Sequence, residues 1–269
     1  MGGIRRLRAQ GRAELSLTPA DVALLALAAV LVGFAKTALG GVAAISVAIF
    51  AAVLPAREST GTLLPLLVVG DLLAVGAYRR HADWKILLRL FPAVGIGVLF
   101  GAAFVGRVDD LVMRRTIGAI LVLLVVVHVV SQRRRRRAAS PGGASPGGTS
   151  PWRRRGIVAG AGLLAGFTTM VANSGGAVMS LYLLSTGLAV LGFLGTTAWF
   201  FLLLNLFKLP FSVGLGLLDT DALVLCAALS PAVLLGAVVG RRVVSRISQA
   251  RFESTILVLT FLSGLNLLR

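Results

Sequence analysis

Four polar side chains, Lys36, Asp71, Asn205 and Lys208, stand inside apolar runs of the sequence. Two glycine clusters lie in similar company: Gly40 with Gly41, and Gly175 with Gly176 directly after Asn173 and Ser174. An ionised side chain at the centre of a bilayer costs ~2.5–3.5 kcal/mol on the insertion scale, so such residues face a protein interior and mark functional positions. Adjacent glycines weaken a helix by roughly 1 kcal/mol each relative to alanine. Backbone opened there cannot face lipid and belongs beside an interior cavity, where the amides of a half-helix N-terminus attract an anion. The chemistry on offer is binding: two cations, backbone amides, amide and hydroxyl side chains, and one carboxylate as countercharge or proton carrier. Two structural accounts compete with it. Small residues also serve close helix packing in membranes, and Lys36 with Asp71 would make a structural ion pair.

Catalytic signatures are lacking. The chain has no HExxH, GxSxG or P-loop pattern, and two histidines with one cysteine cannot assemble a metal site. Cys226 lies in an apolar run and reads as a small packing residue. His128 falls five residues before Arg133, close to the headgroup level, and His81 in a polar loop. Asp109, Asp110, Asp219 and Asp221 occupy short loops where a solvated turn accounts for them. The expectation is no enzyme and no cofactor.

The elements that must position these residues are membrane helices. Of 269 residues 57% are hydrophobic and 14% charged, against about a quarter charged in soluble proteins. Apolar runs of spanning length, roughly 20 residues, cover 22–55, 63–78, 86–105, 117–130, 157–187, 191–218, 222–239 and 252–268. The expected fold is an all-α polytopic bundle of about eight transmembrane segments. The first and fifth runs are overlong and contain the glycine clusters, so each is a long tilted helix or two pieces broken at the glycines. The net charge of +17 does not imply nucleic acid, since the basic residues cap apolar runs and form no basic face.

Four organisational units follow: a basic N-terminal segment (1–20), a first transmembrane half (21–132), a linker (133–155) and a second half (156–269). The linker, with eight arginines among Pro, Gly and Ser, reads as cytoplasmic, close to anionic lipid headgroups. Its Pro, Gly and Ser content cannot bury a core, so the linker is expected to be disordered. The halves align: Gly33 with Gly166, Asp71 with Asn205, Pro92 with Pro231 and Arg107 with Arg246. If each overlong run crosses once, the basic loop 241–251 falls outside, against the charge rule. If 157–187 is a hairpin, that loop moves inside and 107–115 stays outside, as in inverted repeats. Extending the hairpin to the first half puts the N-terminal arginines outside.

The motifs GFAKTALGG, PLLVVGDLLAVGAYRRHADW and GFTTMVANSGG, with the segment around Asn205, make the chain resemble the sulfite exporter TauE/SafE family from about Leu24 to Leu268. The first half carries only Gly40 and Gly41 where family members often have a longer glycine run, and the linker is unusually basic. The resemblance implies a plasma-membrane permease exporting sulfite or a related organosulfur anion. On that reading Lys36, Gly40, Gly41, Asn173, Ser174, Gly175, Gly176, Asn205 and Lys208 bind the anion. Asp71 serves as proton or countercharge partner, which suits coupling to the proton gradient. An uncoupled anion channel and a scaffold holding a partner through the linker are the rivals, and a homo-oligomer is an open arrangement.

Overall fold

The computed structural model describes residues 17–37, 42–138, 151–243 and 249–269. Among them the chain forms ten α-helices: α1 (Pro19–Thr37), α2 (Ala43–Val53), α3 (Ala56–Tyr78), α4 (Trp84–Val105), α5 (Asp110–Ala138), α6 (Pro151–Ala172), α7 (Gly176–Ser185), α8 (Val190–Gly214), α9 (Thr220–Val243) and α10 (Gln249–Leu268). Six helices are long and apolar enough to cross a membrane, and shorter apolar pieces accompany them. Both overlong runs are divided, which turns eight apolar segments into ten helices. Large apolar side chains point outward, Leu88 71% and Phe100 65% exposed among them. Lipid, not water, is the medium that suits such a surface.

Local chemistry sets the helix ends. Leu54 precedes a proline, which bars it from helical geometry; it is extended at φ −108°, ψ 158°, and separates α2 from α3. Asp83 caps α4 by accepting hydrogen bonds from the amides of Lys85 and Ile86. α5 continues through Ala138 and α6 begins at Pro151, so, against the expectation of a disordered linker, the arginines at both its ends are helical and extend the neighbouring apolar helices. Linker residues 139–150, N-terminal residues 1–16, and Gly40 and Gly41 lie outside the described residues.

Contacts between helices fix their directions. Tyr78 lies by Gly195 and Asp71 bonds Asn205, so α3 and α8 are antiparallel. Gly162 meets Leu90 and Ala93 while Gly101 meets Phe167 and Met170, so α4 and α6 are parallel. The ring pairs of Trp84 with Trp199 and Phe91 with Phe200, and the contact of Gly95 with Phe207, make α4 and α8 parallel as well. On the other side, Gly236 meets Val30 and Gly240 meets Phe34 and Thr37, aligning α1 with α9. Cys226 bonds Thr62, and Arg241 bonds Leu73, aligning α3 with α9. Two sheaves result: α1, α3 and α9 run one way, and α4, α6 and α8 run the other. Helices α5 and α10 are antiparallel, Gly118 facing Leu267 and Leu268 while Val122 faces Gly264.

This geometry has a consequence for the divided runs. Since α1 and α3 point the same way, α2 must return the chain between them; α7 returns it between α6 and α8. Each divided run is a hairpin that enters and leaves on one side. Lys36, near the end of α1, touches Gly70 of α3, which continues two turns further to Tyr78. At 1.5 Å per residue, α1 stops about 10 Å short of that face. α6 similarly ends beside Lys208, before α8 reaches Gly214.

Equivalent positions build the two main interfaces. A side chain at Gly33 would strike the Val233 oxygen and Ala237 nitrogen; one at Gly166 would strike the Val94 oxygen and Val98 nitrogen. Gly97 presses on the Leu163 carbonyl of α6, and Gly236 on the Val30 carbonyl of α1. These pairs match in the same register that aligns Gly33 with Gly166 and Pro92 with Pro231.

Candidate functional site

α8 carries Asn205 and Lys208 three residues apart, a spacing that stacks them on one helix face. Asn205 is 1% exposed and Lys208 also 1%. Asn205 faces α3, where its Nδ2 donates to Asp71 Oδ2 at 2.6 Å. Lys36 reaches Asp71 from α1, its Nζ 2.5 Å from Oδ1 and 4.6 Å from the centre of the Phe201 ring. Both oxygens of Asp71 are therefore engaged, one by a cation and one by an amide. The competing account of Lys36 and Asp71 as an ion pair describes the geometry, and Asn205 extends that pair to the second half.

Lys208 has different company. Its Nζ donates to the Thr169 carbonyl at 2.6 Å and to Asn173 Oδ1 at 2.5 Å. Both acceptors are neutral. An ammonium has three donors, so one remains beyond these two. Ten residues from Leu218, Lys208 is buried and does not reach the interface.

The second glycine cluster is a true interruption. Asn173 has φ 49°, a left-handed conformation that Asn tolerates better than most residues and that ends a helix. Its Nδ2 donates to the Thr60 carbonyl at 2.9 Å, and Thr60 Oγ1 donates to the Val171 carbonyl at 3.1 Å. The break is thus tied to α3 on one side and, through Lys208, to α8 on the other. Ser174 Oγ donates to the Ala172 carbonyl at 2.8 Å. Gly175 is required here, because a Cβ would overlap Thr169 Oγ1 and lie 2.7 Å from the Ala165 oxygen. Gly176, which begins α7, has only Phe201 nearby, at 3.6 Å from its would-be Cβ. The first four amides of any helix lack partners within it, and those of α7 begin at this buried break.

Two of the six buried side-chain atoms without a partner among the described residues lie here. Thr169 Oγ1 and Asn205 Oδ1 have no hydrogen-bond partner, although Thr169 is 2% exposed. Buried polar groups are nearly always satisfied, so an unpaired hydroxyl against the break is a donor without its acceptor. Sequence reasoning missed Thr169 and Thr60. The signal for Thr169 was available, because it aligns with Lys36 when Gly33 is set on Gly166.

Of the expected site residues, Lys36, Asp71 and Asn205 form one chain of contacts, and Lys208, Asn173, Ser174, Gly175 and Gly176 form or flank a second around the break. Gly40 and Gly41 remain outside the described residues. No group of three or more His, Cys, Asp or Glu side chains that could hold a metal occurs among the described residues.

A family model described as sulfite exporter TauE/SafE matches residues 25–267. The chain belongs to the TauE/SafE family. That family consists of membrane exporters of sulfite and related anions, transporters rather than enzymes. With six candidate spans, this TauE/SafE chain is a multi-pass membrane protein. No curated protein and no solved structure matches it.

Proposed function

We propose that this TauE/SafE protein is a plasma-membrane permease that exports a small anion, sulfite or an organosulfonate, with the proton gradient as driving force. The observation that carries the reading is the buried Lys208 ammonium on the Thr169 carbonyl, with the unpartnered hydroxyl of the same threonine against Gly175 at the head of α7. A cation, a hydroxyl and the leading amides of a helix are the combination that holds an oxyanion. Asn173 and Ser174 shape the break, and Gly175 and Gly176 leave room for backbone amides to approach. Gly40 and Gly41 are the counterpart in the first half. Asp71, bonded directly to Lys36 and through its other oxygen to Asn205, joins the halves and supplies the countercharge.

In this reading, 21–132 and 156–269 are inverted repeats. Broken helices at the interface of such repeats hold the substrate, and rocking of one part against the other gives alternating access. The linker is cytoplasmic, on the face that also bears Arg79, Arg80, Arg241 and Arg242. Anionic headgroups would meet its arginines there.

The test is anion flux in proteoliposomes. Lys208→Met and Gly176→Leu should each reduce flux at least tenfold while thermal unfolding shows a folded protein. Normal flux in both variants would remove the site. A flux indifferent to an imposed pH gradient, and never saturating, would favour the channel reading.

A further inference from the structure

We propose that the site selects a monovalent oxyanion over a divalent one of the same shape, and that Lys208 sets this preference. The inference rests on the permease reading above and adds the charge of its cargo.

Among the described residues, Asp71 and Lys208 are the fully buried side chains that carry charge, and Lys36, its side chain 13% exposed, joins them. Lys36 and Asp71 neutralise one another. Asp71 has no capacity left for a second cation, because Asn205 holds its other oxygen. Lys208 meets a carbonyl and an amide oxygen, which accept its hydrogens but do not cancel its charge. Among the described buried side chains, two cations against one carboxylate leave a single positive charge when all three are ionised.

An uncompensated charge in a low-dielectric interior is costly unless paired. One negative charge on the ligand completes the pairing. A second would itself be buried without a partner, so it reverses the gain. The donors fit the same ligand: the third hydrogen of Lys208, the Thr169 hydroxyl and the leading amides of α7 suit the oxygens of a sulfonate. If sulfite is the cargo, the species taken is hydrogensulfite, and its proton crosses with it.

Methanesulfonate and sulfate are the probes, because they share a tetrahedral shape and differ in charge. Binding to the purified full chain is read from thermal stabilisation, which rises with ligand over Kd. Methanesulfonate should bind at least tenfold more tightly than sulfate. Asp71→Asn adds one net positive charge and should narrow that ratio tenfold or more. Lys36→Met with Asp71→Asn returns the charge to its original value and should restore the ratio. Asn173→Asp, nearly the same shape, places a carboxylate on Lys208 and should abolish methanesulfonate binding. Sulfate binding as tightly as methanesulfonate to the native chain overturns the valence rule and leaves the permease reading in place. A ratio that Asn173→Asp and Asp71→Asn both leave unmoved overturns the role of Lys208. Failure of both probes to bind at all removes the anion site and this inference with it.

Discussion

Substituting Gly166 by alanine tests the packing on which the whole site depends. A methyl there would overlap the Val94 oxygen and lie 2.9 Å from the Val98 nitrogen, both backbone atoms that cannot swing aside. Comfortable contacts begin near 3.5 Å, so α4 and α6 would have to part by about an ångström. A clash with backbone falls in the upper part of the overpacking range, about 2–3 kcal/mol, offset by roughly 1 kcal/mol from replacing glycine in a helix. The net loss is about 1–2 kcal/mol. Gly33→Ala faces the equivalent atoms of Val233 and Ala237 and should lose about as much. Gly160, on α6 with Gly166, has nothing within 4 Å of its would-be Cβ, so Gly160→Ala should be neutral or stabilising. Thermal unfolding in detergent, followed by tryptophan fluorescence, reads the difference. By the scaling of soluble proteins, Tm should fall roughly 2–8 °C in Gly33→Ala and Gly166→Ala. The argument fails if Gly166→Ala and Gly160→Ala shift Tm in the same direction.

Lys36→Met alone strands Asp71 and should cost ~3–5 kcal/mol, whereas Lys36→Met with Asp71→Leu should recover most of it; additive losses in unfolding experiments would contradict the pair. Asn173→Ala keeps neither the bonds to Thr60 and Lys208 nor easy access to positive φ, so it should lower Tm more than Asn173→Gly, which keeps the conformation; the reverse order would show that strain at this residue is unimportant. Cys226, buried with its thiol on the Thr62 carbonyl at 2.9 Å, should resist maleimide until the protein unfolds, and rapid labelling of the native form would contradict its placement. Reporter cysteines Arg107→Cys and Asp219→Cys should label from one side of sealed vesicles, and Ala82→Cys and Leu188→Cys from the other. Mixed labelling would break the antiparallel arrangement of α3 and α8.

Much of the site was legible before any coordinates. Lys36, Asp71, Asn205 and Lys208 are conspicuous because hydrocarbon tolerates few polar groups, and any that persist must be inside. Their partners were less legible. Asp71 meets Asn205 across 134 positions of sequence, and only the crossing of α3 and α8 brings them together. Thr169 gave no signal of its own, since a threonine in an apolar helix usually bonds the preceding turn. It becomes conspicuous once Gly175 is seen pressed against its hydroxyl. Asn173 shows the same division: its place beside two glycines announced a break, while the bond to Lys208 required α8 to run parallel to α6.

The sequence by itself determined that the chain is helical and membrane-embedded and where the helices interrupt. Those properties follow from local composition: apolar length sets the spans, and glycine and asparagine set the breaks. Tertiary structure alone decided that the divided runs are hairpins, that α1 and α6 run in opposite directions, and that Lys36 meets a carboxylate while Lys208 meets neutral oxygens. The physical reason is that apolar periodicity records whether a segment is buried but not which way it points, and charge compensation is a property of distances between helices rather than of any one of them.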